Sequence, residues 1–148
     1  MTIDIRYIND PSPVWDKISS YLTDDGWGAG INPNCLYAGV FDGDKMIGAF
    51  SATPINNFCH MVHGGLIKEY WGQGVDICRM AMNFFFETST CLKIQACVPA
   101  YNRAIIRCLK AIDFTHEGVM RKAFVKNYKH HDLIIYGITK SEASRCQH

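Results

Sequence analysis

Between a strand-like run and a helix-like one, the chain reads Tyr70-Trp71-Gly72-Gln73-Gly74-Val75. Two glycines one residue apart let the backbone turn tightly and bring its amides close to a ligand. A helix beginning there adds unsatisfied N–H groups and the positive end of its macrodipole. Together these make a pocket suited to a pyrophosphate; the same residues also suit a plain tight turn from strand to helix. Two fuller phosphate-binding devices are excluded. A dinucleotide fingerprint needs G-x-G-x-x-G, and Ile77 stands at the third glycine position. The P-loop pattern G-x-x-x-x-G-K-[ST] is absent. Gly26-Trp27-Gly28-Ala29-Gly30 follows a helical run instead of a strand, so it does not qualify either.

Other chemically capable residues are less organised. His130-His131 and Cys146-Gln147-His148 hint at metal binding but fall in a loop and a tail, where solvated side chains are the simpler reading; no metal site is expected. The seven cysteines are odd in number and contain no C-x-x-C pair, which fits neither a disulfide framework nor a zinc site. They read as reduced, mostly buried thiols in a cytoplasmic protein.

These residues must be positioned by a mixed α/β framework. Ile3 to Ile8 alternates as a strand, and Ser12 with Pro13 opens a helix whose face carries Val14, Trp15, Ile18, Tyr21 and Leu22. Cys35 to Phe41 and Lys45 to Thr53 flank the hairpin signal Asp42-Gly43-Asp44. Phe58 to Ile67 reads as a strand with a Gly64-Gly65 pair that marks a bulge or a close backbone approach. Val75 to Glu87 is a helix buried on most sides, its polar residues Asp76, Arg79, Asn83 and Glu87 confined to one stripe. Leu92 to Val98, Ala100 to Ile112, Thr115 to Lys126 and Leu133 to Thr139 add strand, helix, strand and strand. The order β-α-β-β-β-α-β-α-β-β implies about seven strands in a mixed sheet, with at least one parallel pair and flanking helices, over one domain spanning residues 1–148.

At 148 residues the chain is long enough for a sizeable core, and 48% hydrophobic against 20% charged residues is globular composition. Fifteen basic and fourteen acidic residues give a formal charge of +1, so nucleic acid is not the expected partner. No run approaches the roughly 20 apolar residues of a membrane span, and no membrane partner is expected.

Glu69-Tyr70-Trp71-Gly72-Gln73-Gly74-Val75 resembles the acetyl-CoA signature of the GCN5-related N-acetyltransferase (GNAT) superfamily, nearest its ribosomal-protein acetyltransferase branch. The run Asn102 to Phe114 resembles, without gaps, that branch's N-x-x-[AS]-I-x-x-[LY]-x-K-x-G-F pattern. Glu117 to Arg121, Asp132 to Gly137, the Asp-Gly hairpin and Gly48 also sit where the family places its own. The resemblance implies the GNAT acyl-CoA N-acyltransferase fold, whose fourth and fifth strands part to admit acetyl-CoA. It implies that backbone near Leu66 and Ile67 binds the pantetheine arm and that amides from Trp71 to Val75, hence Gly72, Gln73 and Gly74, hold the pyrophosphate. Asn102 would contact the arm near the thioester, and the basic face of Arg103, Arg107 and Lys110 would meet the 3′-phosphate or serve as a plain solvated face.

The resemblance further implies transfer of acetyl to a primary amine, a protein N-terminus or a small molecule, by a chain that can form a homodimer. His60 lies about where family members place a glutamate base on the fourth strand, and a histidine suits that role at neutral pH. His63, three residues on, should face the opposite side. The loop from Asp24 to Pro33, with Asp24, Asp25 and Trp27, would cover the acceptor. Departures are found at Asp76, Ile105 and Leu109; the last stands where many members have a tyrosine acid, a role left to Tyr101. The chain as a whole also resembles small proteins of tailed phages, some linked with head assembly. That likeness gives the alternative of a weakly active or inactive GNAT-fold protein, phage-encoded, with a binding role.

Overall fold

The computed structural model describes residues 2–22 and 34–145. In chain order it contains β1 (Ile3–Ile8), α1 (Ser12–Leu22), β2 (Leu36–Asp42), β3 (Lys45–Pro54) and β4 (Cys59–Leu66). A 3₁₀ helix (Lys68–Gln73) leads into α2 (Gly74–Thr88). Then follow β5 (Lys93–Pro99), α3 (Arg103–Ala111), β6 (Thr115–Lys126), β7 (Lys129–Thr139) and α4 (Lys140–Arg145). The Asp24–Pro33 acceptor loop and the Cys146-Gln147-His148 tail lie outside the described residues, as do the side chains of Tyr21 and Leu22.

The seven strands form one mixed sheet in the order β1-β2-β3-β4-β5-β7-β6. Every neighbouring pair is antiparallel except β4 and β5. The β2–β3, β3–β4 and β6–β7 pairs close through short connections, Gly43 (φ 60°) serving the Asp42–Lys45 hairpin, whereas the parallel pair needs the α2 crossover between its strands. Val14, Trp15 and Ile18 of α1 and Ile77, Ala81, Met82, Phe85 and Phe86 of α2 enter a core shared with Val40, Ile47, Phe50, Val62 and Ile94.

Local chemistry corrects two expectations and decides between the alternatives of a third. The N–H of Ser12 is taken by the Asp10 carboxylate at 2.9 Å, so Ser12 stands inside α1 and Asp10 supplies the side-chain acceptor at its start. The α2 helix is buried along one face, not on most sides: Val75 and Met80 are 37% and 41% exposed. The Gly64-Gly65 pair marks a close approach, since the β3–β4 register runs unshifted through it. A Cβ at Gly64 (φ +153°) would collide with the Ala49 carbonyl oxygen and lie 2.7 Å from the Phe50 Cα.

Candidate acyl-CoA cleft

The register of β4 against β5 covers Cys59↔Lys93, His60↔Ile94 and Met61↔Gln95, and stops there. Beyond it β4 stays with β3 and β5 stays with β7, so the two parallel strands part. The Phe58 carbonyl bonds toward β5, accepting from Leu92 and Lys93, and strand backbone alternates its bonding edge. Parity therefore turns the N–H and C=O of Val62 and Gly64 toward the gap, where β5 no longer pairs.

A cleft occupies that gap. Its larger part, about 250 Å³, runs from Trp71 and Gly74 along Leu66, Gly65 and Gly64 to Asn102, Ile105 and Cys108. A smaller part of about 80 Å³ continues past Val62 and His63 to Ala96–Pro99 and Leu109. The two parts share Gly64, Cys78, Asn102, Ile105 and Cys108, which form the waist. The lining is largely apolar, with a few polar groups converging on it, the usual make-up of a ligand site.

At the outer end, a Cβ at Gly72 or Gly74 would meet nothing within 4 Å, and neither residue has a positive φ. These glycines thus relieve no internal strain or crowding; their missing side chains leave a bare backbone cradle open to a ligand. Not every amide there is available. The Gly74 N–H donates to the Trp71 carbonyl, and the Tyr70 N–H to Ile67. No side chain caps the start of α2, so its first-turn N–H groups remain the donors of this end. The Asp76 carboxylate is 83% exposed and pairs with Arg79 at 3.7 Å, so its charge is directed to solvent.

Asn102 lines both parts of the cleft. Its Oδ1 accepts the Ile105 N–H at 3.3 Å, capping α3, and this leaves its amide nitrogen as a donor group at the waist. Leu66 lines the larger part, but its carbonyl accepts the Trp71 indole N–H at 2.9 Å. The Ile67 N–H donates to Ile47 at 2.8 Å, and Ile67 lines neither part. By the same parity the Leu66 N–H faces the gap, so the strand edge that opens into the cleft runs from Val62 through Gly64 to Leu66, while Ile67 is turned to β3.

The remaining sequence candidates divide sharply. His63 lines the inner part, and burial pushes its imidazole down to about 4, so it is neutral at physiological pH. His60 points to the other face, is 5% exposed and lines neither part. Its buried Nδ1 has no hydrogen-bond partner among the described residues, and burial pushes its pKa below the usual value. Tyr101 is packed away from the cleft, its ring 4.7 Å from His131, 6.3 Å from Phe124 and 5.0 Å from the Lys126 ammonium. Gly72, Gln73, Val75 and Arg107 line neither part; Arg107 is exposed with Arg103 and Lys110 along α3. Among the described residues no group of three or more metal-ligating side chains gathers. Sequence reading passed over Cys78 and Cys108, whose only signal is that each follows a motif residue (Gly74, Asn102) on a helix entering the cleft.

No protein-family model matches the chain. YdaF of Bacillus subtilis (strain 168), provisionally described as a ribosomal N-acetyltransferase, is 28% identical over 115 residues, which is 76% of this chain and 61% of YdaF. The chain thus spans about three-fifths of that curated relative's length. A crystal structure described as a probable acetyltransferase is 25% identical, with TM-score 0.64 over 74% of this chain and 64% of its own. The spermidine/spermine N-acetyltransferase SpeG of Vibrio cholerae, in a mutant form, superposes over 99% of this chain and 98% of its own with TM-score 0.82. At 15% identity that likeness is one of fold; a second SpeG structure, TM-score 0.79, holds CoA and spermine.

Proposed function

We propose that this chain, a member of the GNAT superfamily by sequence and fold, is an acetyl-CoA-dependent N-acetyltransferase acting on a primary amine. The observation that carries the proposal is the free β4 edge, which faces a cleft of about 250 Å³ at Gly64 and its inner continuation of about 80 Å³ at Val62, the larger part starting at Trp71 and Gly74. An extended pantetheine arm has amides spaced to pair with such an edge as an added strand would. The α2 start, with uncapped N–H groups and the helix dipole, suits the diphosphate. The Asn102 amide nitrogen at the waist is a donor for the arm near the thioester. Arg107, exposed on the same helix, stands by to meet the 3′-phosphate.

Acetyl-CoA would supply an activated thioester carbonyl. The chain must hold that carbonyl where an amine can attack it and take the amine's proton. His63 brings an imidazole to the inner cleft beside the thiols of Cys78, Cys97 and Cys108; with a pKa of about 4 it is a weak base, so it accepts a hydrogen bond from the amine and passes the proton on to water without keeping it. We therefore place the base at His63 in preference to His60, which is sealed from both parts of the cleft. With Leu109 at the usual tyrosine position and Tyr101 turned away, the thiolate leaves without help from either side chain.

The acceptor is proposed as a protein N-terminus or a polyamine-like molecule, in keeping with the names of YdaF and SpeG. All six described cysteines are free, which supports a cytoplasmic site of action, and no helix among the described residues is long and apolar enough to cross a membrane. Exposed Val119, Met120 and Val125 on the edge strand β6 support a homodimer, to be checked by sedimentation.

Thermal melts with coenzyme A test the cleft. Saturation at about 100 times the dissociation constant should add near 2.7 kcal/mol of stability. Thiol release from acetyl-CoA with spermidine and with N-terminal peptides then tests turnover. No thermal shift would refute the cofactor assignment; a shift without turnover on any amine would favour the inactive, binding alternative.

A further inference from the structure

Helices α2 and α3 each set one cysteine in the wall of the cleft. Cys78 and Cys108 are half-buried, and both line both parts of it, so they stand at the waist. Cys78 lies one helical turn beyond Gly74, on the face of α2 turned toward α3. The two thiols sense each other. Contact with Cys78 draws Cys108 below the ordinary thiol value, burial opposes this, and the Arg79 guanidinium adds to it. Contact with Cys108, together with burial, pushes Cys78 well above that value. One sulfur is thus the readier thiolate and the other a neutral partner beside it, the division of labour of an attacking and a resolving cysteine. The acetyl transfer outlined above uses neither.

Resting on the acyl-CoA reading of the cleft, we propose that Cys78 and Cys108 form an oxidisable pair whose substrate is a peroxide, and that their disulfide shuts the cleft to the pantetheine arm. The Cys108 thiol first gives its proton to solvent, and the thiolate attacks one oxygen of hydrogen peroxide; the O–O bond breaks, the departing hydroxide takes a proton back from solvent and leaves as water, and Cys108 becomes a sulfenic acid. Cys78 gives up its proton and attacks that sulfur; the S–S bond forms, the S–O bond breaks, and a second water leaves. Two electrons pass from the two sulfurs to one peroxide. A sulfur–sulfur bond of about 2.05 Å is much shorter than a non-bonded sulfur contact, so closing it draws the α2 and α3 walls together where the two parts of the cleft meet.

Protein reduced with dithiothreitol is first melted with and without coenzyme A, then treated with hydrogen peroxide, digested with trypsin and mapped by mass. The expected product joins the peptide spanning 69–79 to that spanning 108–110, lighter by two hydrogens than the separate pair. Coenzyme A affinity should fall at least tenfold on oxidation and return with dithiothreitol. In Cys78→Ser, Cys108 should stop at the sulfenic acid, trapped by dimedone, and coenzyme A affinity should stay within a few-fold of the same variant's untreated value. Linkage of Cys108 to Cys97 instead, no linkage, or linkage that leaves coenzyme A affinity unchanged would each overturn the proposal. If reduced protein binds no coenzyme A, the acyl-CoA reading falls and takes the closing of the cleft with it. The linked peptide, read by mass alone, still decides whether the pair is oxidisable.

Discussion

A Cβ added at Gly64 would collide with β3, whereas one at Gly72 or Gly74 would enter open space, so the same substitution should give opposite results at these sites. Gly64→Ala is expected to cost about 3 kcal/mol or more, from the steric clash and from a φ that L residues rarely adopt. Gly74→Ala, at an ordinary helical φ of −58°, should leave the melting temperature unchanged or raise stability by about 0.5 kcal/mol. It should nevertheless abolish most of the shift given by coenzyme A, because the methyl would occupy the cradle. If Gly74→Ala binds coenzyme A normally, the bare backbone is only a turn. The histidines make a second contrast. His63→Ala should lower thiol release about a hundredfold, within the range of a single acid–base group. His60→Leu should leave release within a few-fold, since that imidazole sits in the core with an unsatisfied Nδ1. The reverse order would return the base to His60.

At the level of elements, α3 ties the cleft to the fold through one side chain. Asn102 uses its oxygen to cap Ile105 and offers its nitrogen to the waist, so its two tasks are separable. Asn102→Ala should cost about 1 kcal/mol of stability and weaken coenzyme A binding; Asn102→Ser should keep the cap and lose only the binding. Equal melting temperatures for the two variants would mean that the cap contributes nothing. The element order was legible because alternation and helical spacing are strong in nearly every segment: β1 and β6 fall at the residues the pattern gives, and the Asp-Gly turn announces the β2–β3 hairpin. The 3₁₀ helix and α4 were missed, since one or two turns carry too few residues to show a period. β7 begins four residues before its apolar run because Asn127 and Tyr128 form the β6–β7 turn at φ 51° and 63°. A tyrosine gives no hint of a left-handed turn. Asp113 is similar, holding φ 68° after α3 at the pattern's glycine position. The cleft was half legible. The glycine motif and Asn102 mark its outer end and waist by type and spacing. The choice between His60 and His63, and the extension of the free edge back from Leu66 to Gly64 and Val62, depend on where β4 parts from β5, which no local pattern encodes.

For the whole molecule, near-neutral net charge removes general repulsion as a cause of acid sensitivity at mild pH, so specific buried groups should dominate. His63 is the strongest of them: folding takes its pKa from 6.5 to about 4 by desolvation. Above pH 6.5 the imidazole is neutral in both folded and unfolded chains and costs nothing. As pH falls below 6.5 the unfolded chain gains a proton that the folded chain refuses, so stability drops, and the loss levels off near pH 4 when both hold it. At 1.36 kcal/mol per pH unit the full interval amounts to about 3 kcal/mol. His60 is displaced in the same direction by burial and deepens the same decline. The lowered carboxylates Asp10, Asp42 and Glu142 act only at more acid pH, as they approach protonation. Urea unfolding of the reduced protein at pH 7.5, 6 and 5 should therefore give falling midpoints with an unchanged slope. His63→Gln should flatten most of that fall, leaving the smaller part due to His60. A wild-type midpoint constant from pH 7.5 to 5 would mean that the His63 imidazole is hydrated in the folded protein, and that the inner cleft is open to water.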